Sequence, residues 1–187
     1  MLNYNSPIKE DKQYNDLYIK EITSIAKLNI RGKTREFFTS VEKNLNIILP
    51  TEVNTSSSNK DITVMWLSPD EWMIVSNKFI NKVTNQYEFE KDLFDKISKT
   101  NLGAVTDVTD QFVTINLEGK NVYELFSSGS PFNFNEFKNK KGAVAQTLLN
   151  HIDVIFHLIN ENSINLFVRR SFSEHLWSWI NDSASRL

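Results

Sequence analysis

A six-residue pattern occurs twice in this chain, identical at Asn, Gly and Lys, and it does the same job both times. Leu28-Asn29-Ile30-Arg31-Gly32-Lys33 returns as Ile115-Asn116-Leu117-Glu118-Gly119-Lys120, an offset of 87 positions (28 to 115). In each copy apolar residues alternate with polar ones up to the glycine, which is the period of a half-buried strand. An amphipathic helical pattern follows each glycine: Phe37, Phe38, Val41 and Leu45 after the first, Val122, Leu125 and Phe126 after the second. Strand patterns come next, at 62–67 and 72–75 in one copy and at 143–149, 154–159 and 164–168 in the other. Helical patterns close both, one carrying Phe89, Leu93, Phe94 and Ile97, the other running from Ser171. This succession constrains the chain to an α+β fold of two pseudo-repeated ferredoxin-like (β-α-β-β-α) halves packed together. The expected division is a mobile, polar N-terminal arm over 1–17, a first half over 18–102 and a second half over 103–187. The strand-like run from Tyr18 to Gly32 opens the first half, and the strand at 104–108 opens the second.

Local signals refine this reading. Ser68-Pro69-Asp70-Glu71 and Ser171-Phe172-Ser173-Glu174 both have the spacing of a capping box and predict helix starts. Residues 127–142, rich in Ser, Asn, Gly and Phe, are expected as loop. In the final helix Phe172, Leu176, Trp179 and Ile180 make one stripe, which leaves Trp177 off the buried face.

The chemistry that the sequence excludes is informative. There is no cysteine, so disulfides, thiolate nucleophiles and cysteine-held metal clusters are ruled out. A net charge of −2 gives no field for nucleic acid or an anionic membrane. No apolar run approaches the roughly 18–20 residues of a membrane span, the polar N-terminus is unlike a signal peptide, and a cytoplasmic location is expected. Arg31-Gly32-Lys33-Thr34 ends like a phosphate-binding loop, but the glycine that loop needs is replaced by Lys27. The expectation there is a strand-to-helix turn in which Gly32 supplies a special backbone angle. No dinucleotide glycine fingerprint is present. His151, Asp153 and His157 share strand parity, yet the two histidines would stand about 20 Å apart on one strand, too far for one metal. Asp107 and Asp110 are expected to cap turn backbone. No catalytic, cofactor-binding or metal-binding residue is therefore assigned. Three residues are expected at a contact with another polypeptide: Arg169 and Arg170, an arginine pair in a chain with sixteen Lys and five Arg, and the overhanging Trp177. The N-terminal arm is expected to order on that contact.

Four segments carry a family resemblance: WLSPDEWMIV (66–75), GAVTDVTDQFVTINLEGK (103–120), GAVAQTLLNHIDVIFH (142–157) and LFVRRSFSEHLWSWI (166–180). They resemble the gamma subunits of heterotetrameric sarcosine oxidases, which are distantly similar to the glycine-cleavage T-protein. The resemblance covers about residues 18–181 and implies a T-protein-like fold. Where T-proteins carry Gly-Gly-x-x-Asp-Asp, this chain has Asn150-His151-Ile152-Asp153, without either glycine and with Asp153 matching one acid. The resemblance implies a non-catalytic subunit that supports assembly of an enzyme demethylating sarcosine to glycine and passing the one-carbon unit to tetrahydrofolate. FAD, FMN, NAD, tetrahydrofolate and zinc are then expected on other subunits, with the alpha, beta and delta chains as partners. The alternatives are a stand-alone folate-binding protein and a subunit of a related N-methylamine oxidase.

Overall fold

The computed structural model describes residues 5–8, 10–23, 25–76 and 88–187. In chain order the first strands are β1 (Lys12–Tyr14), β2 (Leu17–Glu21) and β3 (Ala26–Arg31), followed by helix α1 (Arg35–Leu45). Next come β4 (Ser56–Ser58), β5 (Ile62–Ser68), β6 (Glu71–Ser76), α2 (Glu88–Leu93) with a π-helical turn over Phe94–Ser98, and β7 (Ala104–Asp107). The remainder is β8 (Phe112–Glu118), α3 (Val122–Ser127), α4 (Phe134–Phe137), β9 (Val144–Leu149), β10 (Ile152–Asn160), β11 (Ser163–Arg169) and α5 (Arg170–Ala184). Two compact units result, one of Ser24–Asp110 and one of Tyr4–Thr23 with Gln111–Leu187.

In the first unit the sheet order is β4-β5-β6-β3-β7. Every pairing is antiparallel. With β4 set aside, this is a ferredoxin-like sheet in which β3, β5, β6 and β7 are strands one to four. Phe37, Val41 and Leu45 of α1 bury their stripe against it. Thr34 caps α1, its hydroxyl accepting the Phe37 N–H at 3.1 Å. Trp72 is fully buried, and its indole N–H is satisfied by the Pro50 carbonyl at 2.8 Å. Gly32 has no positive φ. It is required because a methyl group there would collide with the Phe37 ring, so space and not backbone angle is the reason. The Ser68–Glu71 segment is a tight hairpin turn between β5 and β6, with Ser68 paired to Glu71. The expected helix start does not form, because both flanks are committed to the sheet. Ser68 instead donates its hydroxyl to the Asp70 carboxylate at 3.0 Å.

The second unit has the order β1-β2-β8-β11-β10-β9, again antiparallel throughout. Five of its six strands match those of the first unit, β8 with β3, β10 with β5, β11 with β6, β9 with β4 and β2 with β7, and β1 is an added edge strand. The match places the fourth strand differently in sequence. In the first unit it follows the second helical segment; in the second unit it comes from residues 17–21. Two expectations are corrected here. The strand at 104–107 does not open the second half but closes the first, pairing Ala104 with Arg31 and Asp107 with Leu28. The run from Tyr18 to Gly32 is two strands in two units, since β2 pairs Tyr18 with Glu118 and Ile19 with Leu117.

Sequence chemistry explains how the hairpin β1–β2 is held. Gly119 takes φ 144, and a Cβ on it would collide with the Asp16 carbonyl in the hairpin turn. Asn121 donates its side-chain amide to the Asn15 carbonyl at 3.1 Å. Ile8, Leu17 and Ile19 enter the unit's core. The described part of the expected arm is thus built into a folded unit; residues 1–4 and 9 lie outside the described residues. The core centres on Phe126, Phe134 and Phe156, with the rings of Phe126 and Phe156 4.6 Å apart. Two of the three phenylalanines flank or lie in the 127–142 segment expected as loop, where α4 forms with Asn133 as its side-chain cap.

Candidate functional site

The three residues expected at a partner contact all lie on or beside α5. The chain passes from β11 straight into this helix, with Arg169 as N-cap and no side-chain cap hydrogen bond. The expected capping box at 171–174 does not form, because the first helical residue is already Arg170, whose N–H is taken by the Gln111 carbonyl at 2.8 Å. Ser173 instead donates back to the Arg170 carbonyl at 2.7 Å. Ser173, Leu176, Ile180 and Ala184 form the buried stripe. That phase moves Phe172 off the core face, where it is 49% exposed.

The structure divides the three expected residues. Arg170, Trp177 and Asn181 are spaced i, i+7 and i+11, so they share one flank of α5. The N-terminal segment is bonded along this flank. The Arg170 guanidinium donates to the Asn5 carbonyl. The Tyr14 hydroxyl donates to Asn181 Oδ1 at 2.7 Å, and Asn181 Nδ2 donates to the Trp177 carbonyl at 2.7 Å. Trp177 is half-buried and packs on the second unit's core. Residues 170, 177 and 181 therefore act as a seat for the chain's own N-terminal segment. Arg169 is different: its backbone pairs with Phe112 in the ladder, but the residue is exposed and its guanidinium has no hydrogen-bond or ion-pair partner among the described residues. On its side of the helix stand Phe172 and, one further i+7 step on, Trp179, which lies over Gly129 so closely that a methyl group there would strike the indole.

The remaining candidates perform structural work. Lys27, at the position a phosphate-binding loop would give to glycine, is buried, and its ammonium donates to the Thr109 carbonyl at 3.1 Å. Asp107 accepts the Thr109 N–H at 2.8 Å, as a turn cap does. Asp70 sits among the Ser68 hydroxyl, Arg31 and Lys33, the two cations each at 3.5 Å, and this company holds its carboxyl below the usual carboxylate range. His151 and Asn150 occupy the turn between β9 and β10, both with positive φ, the conformation that the glycines of T-proteins would adopt without strain. Asp153 is exposed on β10, whereas His157 is buried, and burial pushes its imidazole down to about 4, so it is neutral. Among the described residues no three His, Asp or Glu side chains converge in a way that could hold a metal. No helix among them is long and apolar enough to cross a membrane. An open groove of about 420 Å³ in the first unit has Leu45, Ile62 and Leu93 in its floor and Lys60, Asp61 and Asp92 on its rim.

A sequence model of the sarcosine oxidase, gamma subunit family matches residues 31–186. No curated protein matches the sequence. Among solved structures, a chain of the heterotetrameric sarcosine oxidase from Corynebacterium sp. U-96, in complex with pyrrole 2-carboxylate, superposes with a TM-score of 0.81 at 20% identity, covering 91% of this chain and 84% of that one. The glycine cleavage system aminomethyltransferase T from Bartonella henselae superposes with a TM-score of 0.61 at 14% identity, covering 92% of this chain and 50% of that one. These two likenesses show a shared fold, and the T-protein is matched over half its length.

Proposed function

Because this chain belongs to the sarcosine oxidase gamma subunit family, we propose that it is the accessory subunit of a heterotetrameric oxidase that demethylates sarcosine to glycine and passes the one-carbon unit to tetrahydrofolate. In this reading its partners are the alpha, beta and delta chains, which carry FAD, FMN, NAD, tetrahydrofolate and zinc. The chain itself contributes folded surface and not reacting groups. The family match over residues 31–186 carries the proposal. The commitments of the polar side chains agree with it. His157 is neutral inside the second unit, Asp107 caps a turn and Lys27 ties down the Thr109 carbonyl, so each is spent on the fold.

Co-expression of the tagged chain with the three larger and smaller partners tests this directly. All four chains are expected to purify together and to oxidise sarcosine. A three-chain oxidase that assembles fully and leaves this chain behind would overturn the proposal. Tight folate binding by the isolated chain would turn the reading toward a stand-alone folate-binding protein.

A further inference from the structure

We infer that the subunit docks through the Arg169–Phe172 corner of α5, into an apolar pocket edged by carboxylates on a partner subunit, and not through the Trp177 flank of the same helix. The inference rests on the accessory-subunit reading and narrows it to one face. The two flanks of α5 differ in what already occupies them. The Arg170–Trp177–Asn181 flank is bonded at both ends by residues of the N-terminal segment, Asn5 at Arg170 and Tyr14 at Asn181. That segment is covalently tethered and anchored by the buried Ile8, so a partner would have to displace an intramolecular occupant. The opposite corner has no such occupant among the described residues. There Phe172 leaves about half its surface in water, and Arg169, three residues before it, carries a charge with no partner among the described residues.

Chemistry selects the occupant. An exposed aromatic ring one helical turn from an uncompensated guanidinium matches the residue types that dominate protein interfaces. The guanidinium presents a planar fork to carboxylates, and the ring needs an apolar pocket. Phe172 stands on the first turn of a fifteen-residue helix and Arg169 is its N-cap, at the end of β11, so both rest on paired or helical backbone and little ordering is needed on binding. Among the other exposed apolar side chains, Phe94 at 41% is followed by Asp95 and Lys99, which are already paired with each other, and Ile48 at 77% with Val53 at 58% lies in the loop after α1 and offers no aromatic ring.

The test uses the full chain co-expressed with its three partner subunits and measures their recovery on the tagged chain. Phe172→Asp and Arg169→Glu are each expected to lower recovery at least about tenfold, with the melting midpoint of the free chain unchanged, since both side chains are exposed. Raised salt is expected to weaken the wild-type association and to have less effect on Arg169→Glu. Tyr14→Phe and Trp177→Ala on the strapped flank, and Ile48→Asp in the first unit, are expected to leave recovery within about twofold of wild type. Full recovery with Phe172→Asp while the wild type assembles would overturn the inference and leave the accessory-subunit reading standing. A tenfold loss with Ile48→Asp or Tyr14→Phe, with none for Phe172→Asp, would do the same. A wild-type chain that recovers no partner would overturn both.

Discussion

The two units have the same sheet and obtain its last strand from opposite directions along the chain. In the first, β7 follows the helical segment and closes the sheet against β3; in the second, β2 precedes every other major strand of its unit and closes it against β8. The positions correspond closely. Val105 faces Ile30 in one ladder, and Ile19 faces Leu117 in the other. The difference teaches that a ferredoxin-like sheet requires an apolar strand with the right register beside strand one, and is indifferent to where in the sequence that strand originates. Local contacts then decide which segment wins. At the end of β3, Gly32 leaves room for Phe37 from its own helix; at the end of β8, Gly119 leaves room for the backbone of a hairpin more than ninety residues earlier.

The strongest way to break this comparison is at the two glycines. Gly119→Val would place a branched side chain at φ 144 and against the Asp16 carbonyl, and it is expected to cost on the order of 4 kcal/mol or more. Gly32→Ala strains only a side-chain contact with Phe37 and is expected to cost about 1–3 kcal/mol. Denaturant melts of the full chain rank the two; equal costs would remove the asymmetry. The closing strands provide the next contrast. Ile19→Ala is expected to cost about 2–5 kcal/mol and Val105→Ala less, about 1–2 kcal/mol. Amide exchange should show lost protection in β8 for the first and in β3 for the second.

Acid sharpens the contrast further. His157 takes the ladder position in the second unit that Met65 takes in the first, since they face Asn165 and Met73 respectively. Burial depresses the folded pKa of His157 to about 4, below its ordinary value of 6.5. The unfolded chain therefore binds the proton first, so stability is full above pH 6.5 and falls as pH drops toward 4. The expected loss is on the order of 3 kcal/mol, and it should be absent in His157→Gln. Thermal melts across that window provide the check, and equal pH slopes in the variant and the wild type would contradict it. The smallest effect concerns helix starts. Thr34→Ala removes a real cap and is expected to cost about 1 kcal/mol, whereas Ser171→Ala removes none and should leave the melting midpoint unmoved.

Much of the fold is legible in the amino-acid pattern. The six-residue repeat locates strand one and the following helix in both units, because alternation up to a glycine and a helical stripe after it are local properties. Which strand pairs with which is not local, so nothing in the run from Tyr18 to Gly32 shows that it divides between two sheets. The capping-box spacings mislead for a related reason. Ser68 and Ser171 have the right neighbours, but one lies at a hairpin between paired strands and the other is already inside α5, which follows β11 without a loop. At the candidate contact, residue type draws attention to α5 but does not give exposure. The outcome of packing sets it: Trp177 is half-buried against the second unit's core, with Asn181 beside it taken up by Tyr14 from the far end of the chain, and Phe172 becomes exposed because Ser173 takes the core phase.

The central claim is that this subunit contributes contact surface to an oxidase whose reacting groups lie on other chains. Purifying the subunit alone, recording its visible spectrum and assaying it with sarcosine tests that claim most directly. A colourless protein with no turnover, which restores assembly when its partners are added, is the result expected. A yellow protein, or one that oxidises sarcosine unaided, would contradict it.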